Sequence, residues 1–272
     1  MPEPSDPPRL EVQHATVRFG SVVAVDDVSV DVGAGQVLGV IGPNGAGKSS
    51  LLNGISGLVP LATGSVHLDG SVLGGTRPWE RRSAGLARTF QLVEGFADFG
   101  AVEFVAMGLL RERCPTLLGP VLGLRSVRGR ERWARDVARS TIDAIGMGHV
   151  SRSLMKELPY GTRKILDLVR ATLGSPRLLL LDEPTSGCGT GDKERIAQIM
   201  GQLIPDGCAT VVVDHNVGFI RAVAHQVLAM ATGARVGIGT ADEVLAMPEV
   251  RLSFTGEPAD AGKVAESREI TR

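Results

Sequence analysis

Gly42-Pro43-Asn44-Gly45-Ala46-Gly47-Lys48-Ser49 is the stretch of this 272-residue chain with the plainest chemistry. It fits G-x-x-x-x-G-K-[ST], the phosphate-binding P-loop. Glycines let the backbone bend around a phosphate chain without Cβ clashes. The freed N–H groups then point inward, and a following helix adds positive potential at its N-terminus. Lys48 is expected to reach the β- and γ-phosphates, and the Ser49 hydroxyl to hold Mg²⁺. Ser50 follows and is counted with the nucleotide-binding residues. The bland alternative is a glycine-rich turn that happens to precede Lys-Ser.

A second acidic site lies at Asp182-Glu183, behind the apolar run Leu178-Leu179-Leu180-Leu181. In a P-loop protein this is the Walker B arrangement. Asp182, at the end of a strand, can hold Mg²⁺ through water. Glu183 is then placed to orient or deprotonate an attacking water. Alone, the pair would read as an ordinary acidic turn; beside a P-loop it reads as chemistry.

These groups need a scaffold that ends strands at one edge. Val37-Leu38-Gly39-Val40-Ile41 reads as a buried strand, and Leu51, Leu52, Ile55 and Leu58 mark one face of the helix after the loop. Leu178–Leu181 and Val211-Val212-Val213 are short apolar runs suited to buried parallel strands. From Leu10 to about Val32, β-like runs alternate with Gly-rich turns, as in an antiparallel layer. From about 93 to 157 β-branched runs thin out, and Arg128 to Ile145 has helical spacing. A β pair is expected near 227–238 and a short helix near 241–247. The expected fold class is α/β, a P-loop NTPase core with an antiparallel β subdomain and an inserted helical subdomain at about 93–160. Residues 1–8 read as a disordered lead, 9–256 as one nucleotide-binding domain, and 257–272 as a flexible tail.

Composition narrows the class. The hydrophobic fraction is 43% and the net charge −1, so nothing global points to nucleic acid. Cys114, Cys188 and Cys208 lack metal-ligand spacing and favour a reducing compartment. The lead is Pro-rich and unlike a signal peptide. No run approaches the roughly 18 apolar residues of a membrane helix. The chain is expected to be soluble by itself, with another subunit spanning any membrane at which it works.

Leu158-Pro159-Tyr160-Gly161-Thr162 stands about one helix before the Walker B strand, that helix being read as Arg163 to Leu173 with Ile165, Leu168, Val169 and Thr172 on one side. With P-loop, Gln91, this loop, Walker B and then His215 in fixed order, the chain resembles the ATP-binding subunit of ABC transporters over about residues 10 to 256. The resemblance implies further roles. Phe19 matches the aromatic that stacks on adenine, the alternative being a plain core residue. Gln91 matches the glutamine that touches Mg²⁺ and the lytic water and links to the membrane subunit. His215 matches the switch histidine that bonds the γ-phosphate. ATP would be sandwiched in a head-to-tail dimer, between the P-loop of one subunit and Pro159, Tyr160 and Gly161 of the other. Lys48, Gln91, Glu183 and His215 are then the catalytic set, and Ser49, Gln91 and Asp182 the metal set.

Two departures from the family pattern touch the opposite subunit's site. The signature usually reads Leu-Ser-Gly-Gly-Gln; here Pro159 takes the serine position and Thr162 the glutamine position. The loop after Walker B usually carries aspartate where this chain has Gly189. Pro159 offers phosphate neither a hydroxyl nor an N–H. A heterodimer with a second, more regular ATP-binding subunit would compensate, and a homodimer is the other possibility.

Tyr160-Gly161, Ala87-Arg88-Thr89-Phe90-Gln91, the long insert and the Phe254-Thr255-Gly256 ending resemble the ATPases of branched-chain (hydrophobic) amino acid importers. That resemblance implies integral-membrane permease subunits, an extracytoplasmic solute-binding protein acting indirectly, and a peripheral place on the cytoplasmic face of the plasma (inner) membrane. From Arg111 to Arg139 eight arginines face three acids, an excess suited to the membrane side of the insert or simply to a solvated helix. Urea or amide importers, lipid exporters, and a non-transport or hydrolysis-deficient ATP-binding subunit are the alternatives.

Overall fold

The computed structural model describes residues 7–73, 77–89, 93–109 and 124–255. Gln91, Cys114, Arg111 and Arg113 lie outside the described residues, as do most of the expected lead and the tail.

The chain begins with two long antiparallel strands, β1 (Leu10–Phe19) and β2 (Val22–Val32). They are continuous where the sequence suggested shorter pieces, with register shifts inside the pairing rather than breaks. Next come β3 (Val37–Ile41), α1 (Lys48–Ser56), β4 (Thr63–Leu68), β5 (Ser71–Val72), α2 (Pro78–Ser83) and β6 (Leu86–Arg88). The helical stretch holds α3 (Ala101–Ala106), α4 (Leu124–Ala144) and α5 (Tyr160–Thr172). The chain closes with β7 (Leu178–Asp182), α6 (Thr190–Leu203), β8 (Ala209–Val213), α7 (Val217–Val223), β9 (Gln226–Ala231), β10 (Ala234–Gly239), α8 (Ala241–Ala246) and α9 (Pro248–Thr255). Pro248 is the first residue of α9, where its fixed φ and missing N–H suit a helix start.

Two sheets form. One runs β2-β1-β4-β5 and is antiparallel; the other runs β10-β9-β3-β8-β7-β6. In the second, β3, β6, β7, β8 and β9 are parallel and β10 is antiparallel. Side chains alternate between its faces, as the two-residue strand period requires. Leu178, Leu180, Val211 and Val213 face a core shared with the antiparallel sheet and α1. Leu179, Leu181 and Val212 face the other core, with Phe104, Ile142, Leu166 and Val169 of the helical stretch. The helices from α3 to α5 therefore share one hydrophobic core with the sheet.

Leu58 departs from its expected place. It follows the left-handed Gly57 that ends α1, and it is 58% exposed while Leu51, Leu52 and Ile55 are buried. A residue beyond a glycine C-cap leaves the helical face that periodicity assigns it.

Candidate nucleotide site

The register of the main sheet sets the site. Val213 of β8 is paired with Val40 of β3 and with Asp182 of β7. The P-loop, Glu183 and His215 therefore leave the sheet at one edge, the carboxyl ends of parallel strands, where open α/β sheets take ligands.

The loop itself is bent by its glycines. Gly42, Gly45 and Gly47 have φ of 153°, 83° and 94°. A Cβ on Gly42 would run into the Met230 carbonyl, and one on Gly47 into the Ala24 carbonyl, both backbone atoms that cannot step aside. α1 has no side-chain cap, and its first backbone bond joins Leu51 N to Gly47 O at 2.9 Å. The N–H groups of the first turn, with Lys48, Ser49 and Ser50, are left to meet an anion.

Lys48 is buried and donates to the carbonyls of Gly42 and Pro43 at 2.8 and 2.9 Å. Burial pulls its ammonium below the ordinary lysine value, while Glu183 and Asp182 raise it. Lys48 opens α1 just after β3 and Asp182 ends β7, so the sheet register sets both at the edge where Glu183 follows. Asp182 is buried, and its Oδ1 has no hydrogen-bond partner among the described residues. A buried carboxylate oxygen left bare beside a phosphate loop fits a hard divalent cation such as Mg²⁺. Glu183 stands in the left-handed region at φ 47°, with its N–H donating to Val213 O at 2.8 Å.

Sequence reasoning missed the groups that hold these motifs. Asp214 is fully buried and accepts from Thr185 N and Oγ1 at 3.0 and 2.8 Å and from Asn216 N at 2.8 Å. It ties the loop after Walker B to the loop of His215, which is itself exposed. The sole signal was an acid beside that histidine. Thr89 Oγ1 accepts from Asp182 N at 3.2 Å.

Phe19 ends β1 and is 48% exposed, so the core alternative does not hold. α5 starts at Tyr160, three residues earlier than its apolar spacing suggested, because Pro159 serves as N-cap with no side-chain bond. The amides of Tyr160, Gly161 and Thr162 thus form a helix start, and the first backbone bond is Arg163 N to Pro159 O at 3.1 Å. A Cβ on Gly161 would meet the Asp192 carboxylate, which would have to turn aside. Tyr160 is 40% exposed and lies against Gly187. Among the described residues no hydrogen bond joins Pro159–Gly161 to the P-loop of the same chain. No helix among the described residues is long and apolar enough to cross a membrane.

A glycine-bent loop on a helix N-terminus, a buried lysine and two acids at the carboxyl edge of a parallel sheet define a P-loop nucleotide-binding protein. Residues 25–186 match the ABC transporter family. The chain belongs to that family and is an ABC-type ATP-binding subunit. It is 28% identical over 251 residues to the high-affinity branched-chain amino acid transport ATP-binding protein BraF of Pseudomonas aeruginosa, covering 92% of this chain and 98% of that one. The high-affinity branched-chain amino acid transport ATP-binding protein LivG of Escherichia coli (strain K12) is 25% identical with the same coverage. Among solved structures, a nucleotide-free ATP-binding cassette from an ABC transporter superimposes with a TM-score of 0.81 at 24% identity, over 92% of this chain and 100% of that one.

Proposed function

We propose that the chain binds ATP with Mg²⁺ at the P-loop and hydrolyses it to drive uptake of branched-chain or other hydrophobic amino acids. The observation that carries the hydrolysis is the convergence of Lys48, the bare Oδ1 of Asp182 and Glu183 at one sheet edge. First-turn amides of α1 and the Lys48 ammonium hold the phosphates and spread their charge. Asp182 and Ser49 would hold Mg²⁺, which when bound neutralises charge on the phosphate oxygens. Glu183 takes the proton of the attacking water. Phe19 offers a flat exposed face to the base, and His215 an exposed imidazole toward the γ-phosphate.

The amino acid solute rests on the names of the relatives, BraF and LivG, which cover nearly the same length. The signature residues at the start of α5 serve the site of a second ATP-binding subunit, so the working unit is a dimer. Permease subunits meet the chain at a cavity of about 390 Å³ lined by Leu58, Pro78, Leu86, Ala171 and Pro176, together with Arg88. Its largely apolar wall suits a helical segment of a membrane partner, and the resemblance to importer ATPases supports a peripheral place on the cytoplasmic face of the membrane. Residues 93–160 are proposed as the helical subdomain on that side. Co-expression with candidate permease subunits and a second ATP-binding subunit, followed by uptake of labelled leucine into proteoliposomes, tests the reading. ATP-driven leucine uptake is expected, and a complex that turns over ATP but moves only urea or another small amide would redirect the solute assignment.

A further inference from the structure

Arg88, the last residue of β6, makes a set of bonds that the motifs do not account for. Its Nη2 donates to Asp182 Oδ2 at 2.8 Å, and its Nη1 donates to Asn53 Oδ1 at 2.8 Å and Ser56 Oγ at 2.9 Å. The Arg88 side chain is 14% exposed and that of Asp182 1%. The arginine therefore ties Asp182 to α1, the helix that the P-loop opens. Its own carbonyl accepts from Arg170 Nη2 of α5 at 2.8 Å, so its backbone is held as well.

The consequence is an oriented and compensated carboxylate. Oδ2 is engaged by the guanidinium, and Oδ1 is the oxygen left bare. A buried carboxylate needs a nearby positive charge. Lys48 spends its bonds on the carbonyls of Gly42 and Pro43, so the cation hydrogen-bonded to Asp182 is Arg88. Two cations on one carboxylate repel each other, and in a poorly screened site that repulsion is large.

We propose that Arg88 is a positioning residue for Asp182 that holds the buried carboxylate aimed, with Oδ1 free for Mg²⁺, while its own charge weakens the hold on the metal. The inference rests on the proposed Mg²⁺ site. It makes Arg88 a resident counter-ion, present before the metal arrives and opposing it afterwards. Arg88 also lines the cavity assigned to the permease, so a partner seated there would touch the residue that tunes the metal ligand.

The test compares wild type, Arg88→Gln, Arg88→Met, Arg88→Lys and Asp182→Asn in the full chain. Binding of a non-hydrolysable ATP analogue is measured by calorimetry with and without Mg²⁺, beside thermal unfolding without metal. Arg88→Gln keeps a donor for Asp182 but removes the charge, and Arg88→Met removes both. Both neutral variants should unfold at lower temperature; in Arg88→Gln Mg²⁺ should strengthen nucleotide binding by about 3–10-fold more than it does in wild type, and in Arg88→Met, which also loses the aim of Asp182, the enhancement should fall below that of Arg88→Gln. Metal-free nucleotide affinity should stay within about twofold. Arg88→Lys, which keeps the charge, should show a Mg²⁺ enhancement within about twofold of wild type. If Arg88→Gln melts lower yet keeps the wild-type enhancement, the bridge is structural and the proposal fails. A smaller enhancement in Arg88→Gln also overturns it, because charge would then not be what Arg88 contributes. Should Arg88→Met fail to fold, Arg88→Gln and Arg88→Lys still decide. An unchanged enhancement in Asp182→Asn would instead remove Asp182 as the metal ligand, a separate failure of the underlying reading.

Discussion

Lys164 Nζ donates to the backbone carbonyl of Glu183 across 3.2 Å. Lys164 lies in the second turn of α5, the helix whose start carries Tyr160 and Gly161, and it is buried. One chain's signature helix is thereby tied to the residue proposed as its own catalytic base. The bond matters because Glu183 stands at φ 47°, a conformation that costs a non-glycine residue on the order of 1 kcal/mol or more. It persists because its backbone polar groups are held, the N–H by Val213 O and the C=O by Ser186 N and Lys164 Nζ, each at 3.2 Å.

Lys164→Met should therefore loosen Glu183 more than it loosens nucleotide binding. We expect kcat to fall about tenfold, near 1.4 kcal/mol of transition-state stabilisation, with KM for ATP within about twofold. Lys164→Arg should recover most of the rate, since it keeps a donor at that point. Steady-state hydrolysis over a range of ATP concentrations checks both, and a Met variant at the wild-type kcat would show that the tie is dispensable.

Lys48→Ala should remove most ATP affinity while the protein stays folded. Charge-assisted hydrogen bonds contribute about 1.5–3 kcal/mol each, and Lys48 is expected to make more than one to the phosphates. A loss of roughly 10²-fold or more follows. The variant also frees the Gly42 and Pro43 carbonyls that Lys48 now holds. Calorimetric titration with ATP beside a circular dichroism melt separates affinity from folding. An undiminished affinity in a folded variant would contradict the P-loop assignment.

Glu183→Gln should keep ATP binding and slow hydrolysis by roughly 10²–10⁴-fold, the usual contribution of a general base. Glutamine preserves the shape and the backbone bonds of Glu183, so the change isolates the carboxylate. The ATP-bound dimer should live longer. Single-turnover hydrolysis and size exclusion with ATP present give the two readouts, and turnover at the wild-type rate would exclude Glu183 as the base.

The parts of this site legible in the sequence were those written in consecutive residues. Gly42–Ser49 announces a bent loop, and Leu178–Glu183 announces a buried strand ending in acids. Arg88, Lys164 and Asp214 were not legible, because each acts on a partner far along the chain. Arg88 meets Asp182 across 94 positions, and Thr185 meets Asp214 across 29. The fold showed the same division. The parallel strands were plain as short apolar runs, whereas the start of α5 was hidden. Its apolar face begins at Ile165, while the polypeptide is already helical at Tyr160, beyond the Pro159 N-cap. Leu58 kept helical spacing past Gly57, and only the left-handed glycine shows that the helix has ended.

Pro159 should make this chain the weaker contributor to its partner's site. It caps α5 without a side-chain oxygen, so the first-turn amides stand alone where the family pattern adds a serine hydroxyl. Pro159→Ser should act twice. As an N-cap, serine accepts from an amide one turn in, which is worth about 0.5–2 kcal/mol and should raise the melting temperature. In the proposed head-to-tail dimer its hydroxyl would also face the opposite γ-phosphate, so ATP-dependent dimerisation of the isolated chain should strengthen. Wild type alone should dimerise poorly and hydrolyse slowly, and a second ATP-binding subunit with a regular signature should stimulate it. Analytical ultracentrifugation of the Glu183→Gln background with ATP, with and without Pro159→Ser, measures the effect without interference from turnover. A stable ATP-dependent homodimer already formed by the chain with Pro159 in place, fully active on its own, would overturn the asymmetric assignment.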